Sequence, residues 1–221
     1  MGDAVRITSR SGRVRVVGEA RSDVTADGVP VTGPGSAELR GRSKKMEVRV
    51  PVGTDLVVGT AAGDVELEGE LGDVGITTAS GDIAVDRVAS LDARTKSGRV
   101  EVGTSSGTVR VKTASSSIRV EHVMGAVRVA SVSGTVTILD AQGEASVRTV
   151  SGTIELALSA TATALVESVS GAVRVTVPAG VRPAARLKTV SGKRRVECDA
   201  GNDVEITARS VSGDLLVTAH P

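Results

Sequence analysis

The sequence contains no Phe, no Tyr and no Trp. Aromatic rings supply much of the contact area in ordinary cores and interfaces. A core here has to be built from Val, Ile, Leu and Ala. The same lack removes the flat platforms on which sugars, bases and methylammonium groups stack. A single cysteine, Cys198, excludes an internal disulfide framework and fits a reducing compartment. Charge of one sign is missing as well: 27 Lys and Arg stand against 26 Asp and Glu, for a net charge of +1. No long-range field steers a polyanion or an acidic membrane to such a surface, so no nucleic-acid partner is expected. The longest uncharged runs, such as Leu156 to Val166, are too short and too interrupted by Ser and Thr to span a bilayer. The first residues carry no apolar secretory segment. The expectation is a soluble, cytoplasmic chain without a direct membrane span, reaching an envelope only through a partner.

What is present is a repeat. The phrase Ser/Thr-x-Ser-Gly recurs at Thr78–Gly81, Thr95–Gly98, Ser131–Gly134, Thr149–Gly152, Ser168–Gly171, Thr189–Gly192 and Ser210–Gly213, with Thr113–Ser116 as a variant. Its final positions are separated by 17, 18, 18, 18, 19, 21 and 21 residues. A half-repeat lies inside it, with Gly63, Gly72 and Gly81 spaced nine apart. Two and four residues after such positions come apolar pairs, for example Val136 with Ile138 and Ile154 with Leu156, separated by polar Thr137 and Glu155. Alternation of period two marks a strand with one buried face. The β-branched residues suit a pleated surface, and glycine every nine residues argues against helix.

Two strands and two turns make a coil of about 18 residues, whose equivalent positions stack about 4.8 Å apart in a parallel ladder. The fold expected is all-β: a single-stranded, right-handed parallel β-helix, or solenoid, widening to 21-residue coils near the C-terminus. Gly72–Val217 holds about eight such coils. A β-sandwich is the alternative, but hairpins need no constant phrase on alternate turns. Residues 1–60 are less regular and read as an N-terminal capping segment with the first strands; residues 61–221 read as one continuous repeat region. Arg194 interrupts the inward column, so its coil is shifted or frayed.

The phrases VPVGTDLVVGTAAGDVELEG (50–69), TASGDIAVDRV (78–88), TVSGTIEL (149–156) and SVSGDLLV (210–217) resemble the bacterial adhesin-type family of β-strand-repeat domains of unknown function. The resemblance covers about residues 46–217 and rests on structural motifs. It implies a parallel β-helix with a binding or surface role. The bactofilins, cytoskeletal β-helix polymers, are similar in architecture alone.

Motifs for chemistry are sparse. His122 and His220 are the two histidines, and no nucleophile-elbow motif frames a serine near either. Cys198 with a histidine falls short of a zinc site. Asp64, Asp73 and Asp82 follow glycines at a nine-residue spacing. Calcium-binding β-rolls need Gly-Gly-x-Gly-x-Asp turns, so these aspartates read as turn stabilisers. No phosphate-cradling loop occurs, and no cofactor or small-molecule ligand is expected. Basic residues gather at Arg40–Lys45 and over Arg182–Arg195, and read as solvated faces.

The hydroxyls stand out. If Val132, Val150, Val169, Val190 and Val211 point inward, the flanking Thr95, Ser97, Thr113, Ser115, Ser131, Ser133, Thr149, Ser151, Ser168 and Ser170 form two outward columns. Such a face could dock a partner, or its hydroxyls could satisfy turn backbone groups. Ice binding is disfavoured because serine lacks the methyl group. The functional expectation is a non-enzymatic, adhesin-like binding module acting through protein contacts or self-association. The alternative is a scaffold that polymerises end to end.

Overall fold

A computed structural model describes residues 4–31, 38–41 and 45–220. The described residues form strands and turns, with no helix. The N-terminal strands are β1 (Val5–Ser11), β2 (Arg13–Glu19), β3 (Thr25–Ala26), β4 (Val29–Pro30), β5 (Glu38–Gly41), β6 (Lys45–Pro51) and β7 (Leu56–Ala62). The middle holds β8 (Val65–Ser80), β9 (Ile83–Ser97), β10 (Val100–Ser105), β11 (Val109–Ser115), β12 (Ile118–Val123), β13 (Val127–Ser133) and β14 (Val136–Ala141). Then follow β15 (Glu144–Ser151), β16 (Ile154–Leu158), β17 (Thr163–Ser170), β18 (Val173–Val177), β19 (Pro183–Ser191), β20 (Arg194–Glu197), β21 (Val204–Ser212) and β22 (Leu215–Ala219).

The strands stack in parallel as a β-solenoid, as the repeat requires. On one face the order is β5, β1, β7, the second halves of β8 and β9, β11, β13, β15, β17, β21 and β19. On the other it is β6, β2, the first halves of β8 and β9, β10, β12, β14, β16, β18, β22 and β20. The expected register holds: Glu101, Arg119, Thr137, Glu155 and Arg174 follow one another in a single column.

Between the faces lies a core built mainly of aliphatic side chains. Val136, Ile138, Ile154 and Leu156 are buried, while Glu155 is exposed and Thr137 half-buried. No single coil could bury these residues; the coil above and the coil below complete each layer.

Glycine at the end of each phrase has a steric cause. Gly152 has φ 140°, and a Cβ there would sit 1.9 Å from the carbonyl oxygen of Gly134 in the preceding coil. A side chain would force the rungs apart, so the ladder spacing selects glycine at this corner.

Both ends depart from sequential stacking. The first coil, β1–β2, lies between the coil of β5–β6 and that of β7–β8. The last coil, β21–β22, lies between β17–β18 and β19–β20. The outermost C-terminal rung is therefore the penultimate coil in sequence. The two 21-residue steps contain the connections 178–182 and 198–203, which carry the chain past one rung and back. Residues 5–19 and 45–62 form regular rungs, so the expected irregular segment over 1–60 narrows to the stretch around β3, β4 and β5. Part of that stretch, and part of the basic Arg40–Lys45 run, lies outside the described residues.

Candidate functional site

The hydroxyl face takes a form different from the one expected. Alternation continues unbroken from Val127 and Val129 into Ser131, so the first hydroxyl of each phrase points inward. Thr95, Thr113, Ser131, Thr149 and Ser168 are buried, whereas Ser97, Ser115, Ser151 and Ser170 are exposed and Ser133 is half-buried. The two-column docking face is thus not formed. The buried hydroxyls tie down the corner instead. Thr95 Oγ1 donates to the Ser97 carbonyl at 2.8 Å, Ser131 Oγ to that of Ser133 at 2.9 Å, and Thr149 Oγ1 to that of Ser151 at 3.2 Å. In the variant phrase, Thr113 and Ser116 share a hydrogen bond of 2.6 Å. A local bond of this kind satisfies a carbonyl where the chain turns.

The valines between the hydroxyls therefore face solvent. Val132, Val150, Val169, Val211 and Val190 occupy successive rungs. Their exposures are 53, 48, 48, 51 and 85 %. At the rung spacing the stripe is roughly 20 Å long. Toward the N-terminus the same column holds Ala114, Lys96 and Ala79, so the apolar stripe is confined to the C-terminal half. Counting parity straight from Val127 would have revealed it. Placing Val132, Val150, Val169, Val190 and Val211 inward concealed it.

The two ends of the rod are finished differently. At the N-terminal end β3 pairs antiparallel with β6, and Asp27 joins Glu47 through both its amide and its carboxylate. At the C-terminal end, β19 pairs with β21 and β20 with β22, and no described strand covers their outer edge. Arg194 stands in the inward column over Leu215. It is exposed because no rung lies beyond it; the coil is neither shifted nor frayed. Val196, also in an inward position, is 44 % exposed for the same reason. Arg182 pairs with Asp203 at 3.5 Å and Arg186 with Glu205 at 3.0 Å. A shallow groove of about 330 Å³ beside β20 is lined by Arg174, Lys193, Arg195 and Leu216, among others.

The remaining candidates have structural partners. His122 lies within β12, is exposed, and its Nδ1 is 3.3 Å from Asp140 Oδ2 in the next rung. Asp64 and Asp82 act as staples between coils: Asp64 Oδ1 accepts the Asp82 amide at 3.1 Å, and Asp82 Oδ1 accepts the Arg99 amide at 2.7 Å. Asp73 accepts the Ser90 hydroxyl at 2.6 Å. Among the described residues no cluster of His, Cys, Asp and Glu is placed to hold a metal ion. Cys198 is half-buried, and burial, aided by Asp199, pushes its thiol pKa up, away from reactive thiolate. No described helix is long and apolar enough to cross a membrane.

A family model, Toastrack DUF4097, matches residues 31–218 of the chain. It describes a repeat domain and carries no adhesin activity in its description. No curated protein and no solved structure matches.

Proposed function

The chain belongs to the Toastrack DUF4097 family, and we propose that it is a non-enzymatic repeat scaffold that engages other proteins. The exposed valine stripe carries this reading. Apolar side chains in consecutive rungs form a contiguous strip on a rigid ladder. Contiguous apolar surface marks contact sites, whereas single exposed valines do not. Behind the strip, Ser131, Thr149, Ser168 and Thr189 are held by hydroxyl–carbonyl bonds, so ordering this part of the surface on binding costs little entropy. An adhesin-like role, or attachment to an envelope through a partner, is a finer form of the same reading.

End-to-end polymerisation is the second reading, favoured by the open C-terminal edge. Two features oppose it. The N-terminal edge strand β6 is already engaged by β3, and Arg194 in the inward column would meet an apolar layer of the incoming copy. Inward-pointing charge is a common guard on exposed edges.

Photo-crosslinking in the native cell tests the proposal. A crosslinking residue at Val150 or Val169 is expected to yield a defined protein adduct, and the same residue at Glu155, on the other sheet, is expected to yield none. Equal adduct patterns at both places would remove the stripe as the contact.

A further inference from the structure

We propose that the free edge of β19 and β20 accepts one extended segment of another protein, in which acidic and small aliphatic residues alternate, as an added strand. This rests on the reading of the chain as an interaction scaffold, but it concerns a different surface.

The backbone supplies the first argument. At β20 the Lys193 carbonyl accepts the Leu215 amide, so Lys193 and Arg195 bond toward the last coil and the N–H and C=O of Arg194 turn outward. On β19 the phase is opposite: Pro183 has no N–H, so its pairing with Val204 runs through the Arg182 carbonyl and the Ala184 amide, and alternation turns the N–H and C=O groups of Ala185, Leu187 and Thr189 outward. Among the described residues no strand satisfies that edge. β19 spans nine residues, long enough for an incoming segment to pair along it.

The side chains say which segment fits. On the inward side, Ala185 and Leu187 are half-buried, while their rung partners Ile206 and Ala208 are fully buried. An added strand would complete that layer with small aliphatic residues. Among the described residues no acidic side chain lies within ion-pair distance of Lys188, Lys193, Arg194 or Arg195 on the edge, in contrast to Arg182 and Arg186. The only acid on β20 is Glu197. An incoming strand therefore gains by carrying carboxylates on the face toward Lys188 and opposite Arg194.

Arg194 also excludes the other strand-shaped occupant. A second copy would bury this guanidinium against its own apolar layer without a counter-ion, a costly arrangement. Tail-to-tail pairing of two such edges would set the unpaired cations against one another. The edge accepts a single acidic strand and rejects a full coil.

The test uses the full chain and a fluorescent synthetic peptide, Asp-Val-Glu-Thr-Glu-Val-Asp-Thr-Glu. Two control peptides carry the same residues with alternate amides N-methylated, or Lys in place of every acid. Binding is expected for the unmodified acidic peptide alone, together with slowed amide exchange at Ala185, Leu187 and Thr189. Ala185→Pro removes an outward donor without changing charge, and Lys188→Glu with Arg194→Glu reverses the charge. Each is expected to weaken binding by at least about tenfold. If Ala185→Pro lowers the melting temperature, the N-methylated peptide and the charge reversal still decide. Failure of the acidic peptide to bind would overturn the proposal. So would binding that survives N-methylation, which would indicate adsorption by charge alone. Dimerisation of the free chain that Ala185→Pro abolishes would assign the edge to a second copy instead. None of these results touches the valine stripe; a Val150→Asp variant that binds the peptide normally separates the two surfaces.

Discussion

Arg15 on β2 donates two parallel hydrogen bonds to Glu68 on β8, at 2.9 and 2.7 Å, although Arg15 stands in register with Glu66. The contact is diagonal across two rungs. It is the fork-to-fork geometry that favours arginine over lysine.

The hydrogen bond from Arg15 holds the Glu68 carboxyl below its ordinary pKa, against a small opposing effect of burial. A lowered folded-state pKa gives stability that is full above the ordinary carboxylate range and is lost as the pH falls through it. Both side chains are partly exposed, so Glu68→Gln is expected to cost only roughly 0.2–1 kcal/mol near neutrality. The gap from the native chain should close in acid. Denaturant melts near neutral pH and well below the carboxylate range check this, and a gap independent of pH would mean that the pair does not act through charge.

Thr149 and Val150 reverse the usual assignment, with the polar residue buried and the apolar one 48 % exposed. Val150→Ser should change stability by less than about 0.5 kcal/mol. Thr149→Asp places a charge in the aliphatic interior and should cost several times as much, on the order of 3 kcal/mol or more. Comparable melting temperatures for the two variants would contradict the parity of this strand.

At Gly152 the backbone conformation and the carbonyl of Gly134 act together. Gly152→Ala is expected to cost at least roughly 1–3 kcal/mol from the conformation alone, with the rung contact adding to it. Gly180, with φ 82° and open space around its Cβ position, isolates the conformational part. Gly180→Ala should be the milder change, as calorimetry of both variants would show.

Amide exchange should follow spatial rather than chain order. β21 and β22 are paired on both sides although they end the described chain, and β19 and β20 are paired on one. Amides of Ile206 and Val217 should be protected to near the global unfolding free energy. Those of Lys188 and Arg195, bonded to one neighbouring strand, should exchange by local opening. Faster exchange in β21 than in β19 would refute the interleaved order.

The repeat arithmetic determined the solenoid, its parallel register and nearly all of its core. Period-two alternation fixes which side chains turn inward, and a constant step brings identical positions into one column. Glu101 over Arg119 and Ile138 over Val120 follow from spacing alone. Tertiary structure decided what local spacing leaves open. In the Ser/Thr-x-Ser-Gly corner, hydrophobicity and strand parity disagree over Val150. Parity wins because Thr149 can bond the Ser151 carbonyl inside the turn and valine cannot. The order of the terminal coils was hidden because every rung presents nearly the same aliphatic layer. Stacking β21 before β19 costs little packing and is set by the connecting loops. Arg194 was the visible trace of that choice: a charge in the inward column is tolerable only where no further coil follows.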